Sequence, residues 1–328
     1  MKEYKPNWLF KHRHIATCFP TLFRKIKVDY TERERVTTYD EDFIDIDWIK
    51  QGSDKLLILC HGLEGSSRSK YIQAHAKYFS ERGWDIIAIN YRGCTDVNLK
   101  PYAYHGGMTM DIKLLVEEKG KNYKKVAIGG FSLGANMVLK YLGTEKVPKN
   151  LICGFAVSPP CDFFSSNEKF KLRSNIVYSK RFLRKLKMKS EKKYETHPEW
   201  REIIDIEKIM KAKTIQDFDE AYTGRFFGFN GALDYYKKVS SVQNFKDIEV
   251  PTYILTPLDD PMMGEGCYPY EECKKNKNIK FDTPKYGGHV GFPSFKNYPY
   301  VLEENIYEFV NSFDKWNFLK KIKKESKK

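Results

Sequence analysis

The pentapeptide Gly130-Phe131-Ser132-Leu133-Gly134 is the strongest chemical signal in the sequence. A G-x-S-x-G pattern forms a sharp turn that lifts a serine hydroxyl above the edge of a sheet when a strand precedes it and a helix follows. An apolar run over 126–130 and a helical pattern over 133–142 provide that context here. The N–H groups at the start of such a helix favour developing negative charge. The pattern predicts that Ser132 is a nucleophile; the alternative is a plain strand-to-helix turn.

A serine nucleophile needs a base, because an alcohol whose pKa lies far above neutrality reacts slowly. With this type of turn the base is expected after the serine in the chain, and of seven histidines only His197 and His289 follow Ser132. His197 lies in a charged stretch, whereas His289 lies in the glycine-rich segment 286–291, which can bring an imidazole over a sheet edge. We predict that His289 is the base; the alternative is a solvated loop histidine.

The base in turn needs an acid that orients the imidazole and stabilises its charged form. A predicted strand over 252–256 lies between the serine and His289, and Asp259 and Asp260 follow it. We favour Asp260, with Asp259 as its rival and Asp162 as a further alternative. Any of these aspartates can instead cap a helix or a turn.

Two backbone N–H groups are expected to bind the negative oxygen of the reaction intermediate. One belongs to Leu133, the residue after the nucleophile, and the other to the loop after the predicted strand 56–60. Leu63 is the candidate in that loop, because Gly62 and Gly65 let the backbone approach a substrate. His61 precedes the loop but has no His or Cys partner at metal-binding spacing, which favours a structural role and predicts no metal.

The elements that position these residues form an alternating pattern. From residue 56 to residue 157 short apolar runs alternate with helical patterns, which indicates an α/β fold with a mostly parallel sheet. The alternation stops near Asp162 and resumes at Pro251, and the helical, polar block between them is interpreted as a cap over the site. The alternative is a second domain unrelated to catalysis. The predicted organisation is therefore core 1–161, cap 162–248, core 249–314 and a basic tail 315–328.

Composition narrows the class of protein. Lys and Arg total 57 against 43 Asp and Glu, a net charge of +14 that fits either an anionic partner or a solvated basic surface. Seven cysteines at irregular spacing predict no disulfide framework and a reducing, cytoplasmic environment. Residues 1–10 lack the apolar core of a signal peptide, and no apolar run approaches the length of a membrane span. No motif supports nucleic-acid binding.

Two segments concentrate positive charge. Residues 168–193 hold eleven Lys or Arg and two Glu, and the tail 315–328 holds seven Lys and one Glu, both with apolar residues interleaved. A basic helix with an apolar stripe is typical of an anionic membrane surface. The alternative, which we favour, is a cap helix that packs its stripe on the core, together with a solvated tail.

Taken together, these motifs resemble the YheT-like branch of the α/β-hydrolases, bacterial relatives of the eukaryotic ABHD lipases. The resemblance covers most of the chain and rests on these segments: His14-Ile15-Ala16-Thr17, Phe23-Arg24, His61-Gly62-Leu63-Glu64-Gly65-Ser66-Ser67, Asn90-Tyr91-Arg92-Gly93-Cys94, Tyr104-His105-Gly106-Gly107, the Ser132 pentapeptide with Ala135-Asn136, Phe218-Asp219, Gly228-Phe229, Asp234-Tyr235-Tyr236, Asp259-Asp260-Pro261 and Gly287-Gly288-His289-Val290-Gly291-Phe292.

The resemblance implies an α/β-hydrolase fold with a helical cap and a Ser132–Asp260–His289 triad. It implies esterase or lipase chemistry on acyl esters, short-chain or lipid, without a metal or organic cofactor. Some eukaryotic relatives carry an N-terminal membrane helix that this sequence lacks, so contact with lipid is expected only from the surface. Acyl transfer to an alcohol by the same triad, and a non-catalytic scaffold that binds lipid or a partner, remain alternatives.

Overall fold

An eight-stranded sheet runs through the molecule. The computed structural model describes the backbone of residues 1–325 and the side chains of residues 1–313. The strands are β1 Glu32–Thr37, β2 Phe43–Ile49, β3 Lys55–Cys60, β4 Asp85–Asn90, β5 Lys125–Phe131, β6 Leu151–Val157, β7 Thr252–Leu255 and β8 Ile279–Asp282. Their order is β1-β2-β4-β3-β5-β6-β7-β8. β2 pairs antiparallel with β1 and β4, and all the other pairs are parallel.

Helices follow most strands and fill the segment between β6 and β7. They are α1 Arg13–Phe23, α2 Lys70–Ser80, α3 Met110–Leu114, α4 Leu133–Thr144, α5 Phe163–Lys171, α6 Ile176–Thr196, α7 Ile206–Lys211, α8 Ile215–Phe218, α9 Gly224–Phe226, α10 Gly231–Val239, α11 Tyr270–Lys275 and α12 Val301–Glu325. The predicted α/β fold with a mostly parallel sheet is confirmed, because parallel neighbours need such crossovers.

The central strands are apolar throughout because both faces of the sheet are covered. In β3, Leu56, Ile58 and Cys60 pack into one apolar cluster, whereas Leu57 and Leu59 pack into the other. Strand residues alternate between faces, so this division follows directly from the backbone. The rigid sheet between the two clusters fixes the carboxyl ends of β3, β5 and β7.

Two local predictions need correction. The alternation of Ile44, Ile46 and Trp48 with two aspartates predicts a half-buried strand, but Asp45 and Asp47 of β2 are buried as well, because Arg35 and Arg33 of β1 each form a two-pronged ion pair with one of them. The sequence also predicts that Gly143 ends the helix that follows Ser132, but α4 continues to Thr144. A Cβ on Gly143 would lie 2.5 Å from the carbonyl oxygen of Asn244, so glycine is required there for close packing.

The segment 162–248, called the helical insertion below, separates β6 from β7. It has a small apolar cluster of its own, which includes Leu183, Trp200, Ile209 and Phe218. This cluster is distinct from the two that flank the sheet. Other side chains of the insertion join the sheet, because Phe245 and Ile248 belong to the apolar cluster on one of its faces and Phe163 and Phe182 pack against that cluster.

Candidate active site

Ser132 occupies the tight turn between β5 and α4. Its backbone has φ 52° and ψ −122°, a conformation that is strained for any residue with a side chain. A Cβ on Gly130 would lie 2.3 Å from the carbonyl oxygen of Gly134, and one on Gly134 would lie 2.4 Å from that of His61. The two glycines of the motif are therefore required by the turn itself.

The side chain of Ser132 meets an imidazole from the far end of the chain. His289 Nε2 lies 2.8 Å from Ser132 Oγ, and His289 Nδ1 lies 2.9 Å from one carboxylate oxygen of Asp260 and 3.1 Å from the other. The Asp260 side chain is fully buried and also accepts the N–H of Met262 at 2.9 Å. With a proton on Nδ1 directed at Asp260, Nε2 is left as an acceptor for the serine hydroxyl.

The alternative candidates lie elsewhere. Asp259 points away from the imidazole, and one of its carboxylate oxygens accepts the N–H of Gly288 at 2.9 Å. Burial raises the pKa of the Asp259 carboxyl. Asp162 caps α5 by accepting the N–H of Ser165, and His197 stacks on Trp200 at 3.7 Å between ring centroids. The structure brings Ser132, Asp260 and His289 together. The alternative candidates Asp259, Asp162 and His197 are not part of this hydrogen-bonded group.

Leu63 and Leu133 line the same cavity as Ser132. Leu133 is the first residue of α4, and Leu63 lies in the loop after β3. A Cβ on Gly62 would lie 3.0 Å from Ser132 Cβ, so glycine lets this loop approach the serine closely without crowding. The N–H groups on either side of Leu63 are already used: that of Gly62 donates to Tyr71 Oη and that of Glu64 to Tyr104 Oη. Among the described residues the Leu63 N–H has no acceptor of its own.

A cavity of about 300 Å³ extends from Ser132 beneath the helical insertion. Most of its accessible wall is apolar, and the insertion contributes aromatic and aliphatic side chains to it, among them Phe163, Phe170, Phe182, Leu186 and Phe218, together with charged side chains such as Lys193 and Asp219. His105 also lines it, and burial lowers the pKa of this imidazole to about 3, so it is uncharged at neutral pH. A pocket of this kind suits an apolar group held beside the serine.

Comparison with known proteins identifies the family. The profile of the alpha/beta hydrolase fold matches residues 55–293. The chain belongs to the α/β-hydrolases. It is 29% identical to the putative esterase YheT of Escherichia coli over 88% of this chain and 87% of that protein. It is 31% identical to a Saccharomyces cerevisiae monoacylglycerol lipase over 72% of this chain and 54% of that protein. The predicted resemblance to the YheT-like branch is thereby confirmed.

Solved structures support the same fold. The esterase Pf2001 of Pyrococcus furiosus superimposes with a TM-score of 0.56 at 17% identity, covering 95% of this chain and 98% of that one. Mouse alpha/beta hydrolase domain-containing protein 10 does so with a TM-score of 0.57 at 12% identity, over 86% and 99% of the two chains. At these identities the match establishes that this α/β-hydrolase shares their fold and no more.

In this α/β-hydrolase, the N-terminal helix α1 supports the histidine loop, a role the sequence did not reveal. The N–H of His289 donates to Thr17 Oγ1 at 2.9 Å. A Cβ on Gly288 would lie 2.8 Å from the Thr17 nitrogen, and one on Gly291 would lie 2.2 Å from the Ala16 carbonyl oxygen. The segment His14-Ile15-Ala16-Thr17 contributed to the family resemblance, but nothing in its residue types indicated contact with His289.

Helix α6 of the insertion supports the loop that carries Leu63. Lys185 Nζ donates to the Glu64 carbonyl at 3.1 Å, and Lys189 Nζ forms an ion pair of 2.8 Å with the Glu64 carboxylate. Burial opposes the charge on Lys189, but the neighbouring Cys94 and Glu64 outweigh it and raise the pKa of the ammonium group. Glu64 itself has φ 55°, so the loop bends sharply next to Leu63.

Part of the apolar stripe of the basic segment 168–193 packs inward, whereas Ile176 is exposed. Leu183 is buried in the insertion, and Phe182 and Leu186 line the cavity. Several lysines of α6 also turn inward: Lys193 Nζ donates to Asn98 Oδ1 at 2.6 Å and to two backbone carbonyls, and burial lowers its pKa to about 7. The side chains of the predicted basic tail, 315–328, lie outside the described residues.

His61 is buried, and both of its ring nitrogens have hydrogen-bond partners. Its Nδ1 lies 2.7 Å from the Gly62 carbonyl oxygen, its Nε2 accepts the N–H of Tyr91, and burial lowers its pKa to about 3. Within the described part of the chain, no three His, Cys, Asp or Glu side chains are grouped as metal ligands. No described helix is both long and apolar enough to cross a membrane.

Proposed function

We propose that this α/β-hydrolase is a serine hydrolase of carboxylic esters, with Ser132 as nucleophile, His289 as base and Asp260 as the group that orients it. The observation that carries the proposal is the unbroken hydrogen-bonded series from Ser132 Oγ through His289 to Asp260, with separations of 2.8 Å and 2.9 Å, at the floor of an apolar cavity. The curated relatives named putative esterase and monoacylglycerol lipase support the same class of reaction.

The reaction follows from this geometry. His289 removes the hydroxyl proton as Ser132 Oγ attacks the ester carbonyl, and Asp260 stabilises the imidazolium that forms. The N–H groups of Leu63 and Leu133 bind the oxyanion. His289 then protonates the departing alcohol, and water hydrolyses the acyl-enzyme by the same route. No step requires a metal or an organic cofactor.

The proposed substrate is an ester with an apolar acyl group. Aromatic and aliphatic side chains of the insertion form much of the cavity wall, so burial of an acyl chain there is favourable by about 0.8 kcal/mol per methylene. The insertion acts as a cap over the bound acyl chain.

Covalent labelling tests the nucleophile. A fluorophosphonate probe should label the wild-type protein and fail to label Ser132→Ala, whereas Ser174→Ala, which removes an exposed serine outside the cavity, should label normally. The wild-type protein and Ser174→Ala should also hydrolyse p-nitrophenyl esters, whereas Ser132→Ala should not. A series of esters of increasing acyl length would show which length the protein prefers. A wild-type protein that neither labels nor hydrolyses any ester would favour a binding scaffold, and accumulation of a new ester with added alcohol would favour an acyltransferase.

A further inference from the structure

Large apolar side chains project into solvent from the N-terminal part of the molecule. Among the described residues, the five most exposed large apolar side chains are Trp8 (75%), Val177 (72%), Leu22 (68%), Phe295 (64%) and Phe23 (62%). Trp8, Leu22 and Phe23 belong to the N-terminal residues 8–23, and Phe295 belongs to the loop against which these residues pack. Such a grouping marks an interaction site, because isolated exposed apolar residues are ordinarily scattered.

Ring contacts join Phe23 to Phe295 through Phe19 and the buried Phe10. The Phe19 ring lies 5.1 Å from that of Phe23 and 5.9 Å from that of Phe295, measured between centroids, and the buried Phe10 ring lies 4.8 Å from both Phe19 and Phe295. Leu22 precedes Phe23 in the last turn of α1. We call Trp8, Phe19, Leu22, Phe23 and Phe295 the N-terminal apolar surface.

Helix α6 begins beside this surface. Tyr178 Oη lies 3.1 Å from His14 Nδ1 and 3.5 Å from Cys18 Sγ, both on α1. Val177 is its chain neighbour and is the second most exposed apolar residue of the described set. The insertion therefore contacts α1 through Tyr178, close in the chain to a further exposed apolar side chain.

Basic residues outnumber acidic ones around the surface. Residues 4–28 contain six cations, Lys5, Lys11, Arg13, Arg24, Lys25 and Lys27, and no Asp or Glu. Arg24 is buried in an ion pair with Glu303, whereas the other five are exposed, and of these Lys5 pairs with Glu3 and Lys27 with Asp29. Lys11 and Lys25 have no carboxylate within ion-pair distance in the part of the chain whose side chains are described. Like charges would face each other if two copies paired through this surface, which disfavours self-association.

We propose that the N-terminal apolar surface docks on an anionic lipid bilayer. Tryptophan and phenylalanine side chains ringed by lysines are the combination that binds at the boundary between lipid headgroups and acyl chains. Each cation near an anionic bilayer adds about 1 kcal/mol to binding. The site differs from the apolar stripe of α6, which faces the cavity. The binding does not depend on the proposed hydrolase activity, although docking would bring α1 and the adjoining histidine loop to a lipid surface.

Vesicle sedimentation of the full chain tests the proposal. The Ser132→Ala variant should be used, so that no lipid is consumed and binding is measured whether or not the protein is a hydrolase. It should bind vesicles of phosphatidylcholine and phosphatidylglycerol at least about ten-fold more tightly than vesicles of phosphatidylcholine alone. Adding Leu22→Ser and Phe23→Ser should weaken binding to the mixed vesicles by at least about ten-fold. Phe295→Ser should weaken it as well, and serves if the double variant does not fold.

Two comparisons make the test specific. Leu233→Ser removes a side chain of similar exposure from α10, outside the surface, and should bind as the parent protein does. Lys11→Gln with Lys25→Gln should weaken binding to the anionic vesicles and leave binding to phosphatidylcholine unchanged. Three outcomes would each overturn the proposal. The first is a failure of the protein to bind anionic vesicles, and the second is a loss of vesicle binding in Leu233→Ser as large as that in Leu22→Ser/Phe23→Ser. The third is a dimer of the parent protein that dissociates in Leu22→Ser/Phe23→Ser.

Discussion

Two of the loops that carry proposed catalytic groups are held in different ways. The histidine loop, residues 286–292, is fixed to Thr17 and Asp259 through its own backbone N–H groups, and its glycines leave no space at those contacts. The loop 61–65 that carries Leu63 also donates N–H groups to side chains outside the insertion, but two lysines of the insertion, Lys185 and Lys189, hold it as well by reaching Glu64 through long side chains. The proposed base is therefore held from outside the insertion, whereas the position of the proposed oxyanion-binding N–H depends in part on where the insertion lies.

The largest expected effect separates the two adjacent aspartates. Asp260→Asn should lower kcat by about 10³- to 10⁴-fold, because an amide cannot stabilise the imidazolium and favours the wrong tautomer. Asp259→Asn keeps an oxygen acceptor for the Gly288 N–H and should change kcat by only a few-fold. Steady-state hydrolysis of a p-nitrophenyl ester measures both. Equal losses in the two variants would show that Asp260 does not have the role assigned to it.

A smaller effect is expected where α1 meets the histidine loop. Thr17→Val removes the acceptor of the His289 N–H while keeping the shape of the side chain. An unsatisfied N–H costs about 1–3 kcal/mol, so we expect kcat to fall about ten-fold with little change in KM. Thr17→Ser retains the hydroxyl and serves as the control. If valine and serine at this position give the same kcat, the contact is not needed to position the base.

The ion pair between Lys189 of the insertion and Glu64 should have a smaller effect on kcat, and the effects of removing its two partners should not add. Lys189→Met and Glu64→Gln should each lower kcat about five-fold, and the double variant should be no worse than either, because the two residues act as a pair. Lys187→Met on the same helix is the matched control, since Lys187 bonds only to carbonyls within the insertion. An effect confined to KM would instead assign the pair to substrate binding.

The smallest effect is on stability and depends on pH. Burial lowers the pKa of Lys193 to about 7 in the folded protein, well below the ordinary 10.5. Between these values the unfolded chain binds a proton that the folded one does not, so stability rises with pH across this window. Between pH 7 and pH 9 the free energy of unfolding in urea should increase by about 1–2 kcal/mol more in the wild-type protein than in Lys193→Met. Lys192→Met, at an exposed neighbour, should behave like the wild type; a gain that persists in Lys193→Met would contradict the assignment.

The sequence predicted the features that depend on local pattern. The pentapeptide around Ser132 and the glycine-rich segment around His289 identify their turns without knowledge of distant contacts, and the apolar runs locate the central strands. The sequence favoured Asp260 over Asp259 without deciding between them, because the directions of the two side chains depend on the turn after β7. The pairing of these residues as a catalytic triad stays a prediction until the variants above are measured.

What could not be predicted depends on long-range contacts. Thr17 and His289 lie 272 positions apart, and nothing in helix α1 indicates its partner. The lysines of α6 looked like a solvated charge run, but their flexible stems reach carbonyls and carboxylates of the core. Strand β1, whose sequence Glu32–Thr37 is mostly charged, lacks the apolar alternation that would reveal a strand, and without it the burial of Asp45 could not be foreseen.

The contact between α1 and the histidine loop bears on how far the molecule can be shortened. A chain that began at Lys25 would keep all eight strands and the three side chains of the proposed triad. It would lose Thr17 from beneath the His289 nitrogen and would leave the buried Glu303 carboxylate without Arg24. Every side chain of the proposed triad would then be present in a protein whose base is poorly placed, so loss of residues 1–24 should lower activity without removing a proposed catalytic residue.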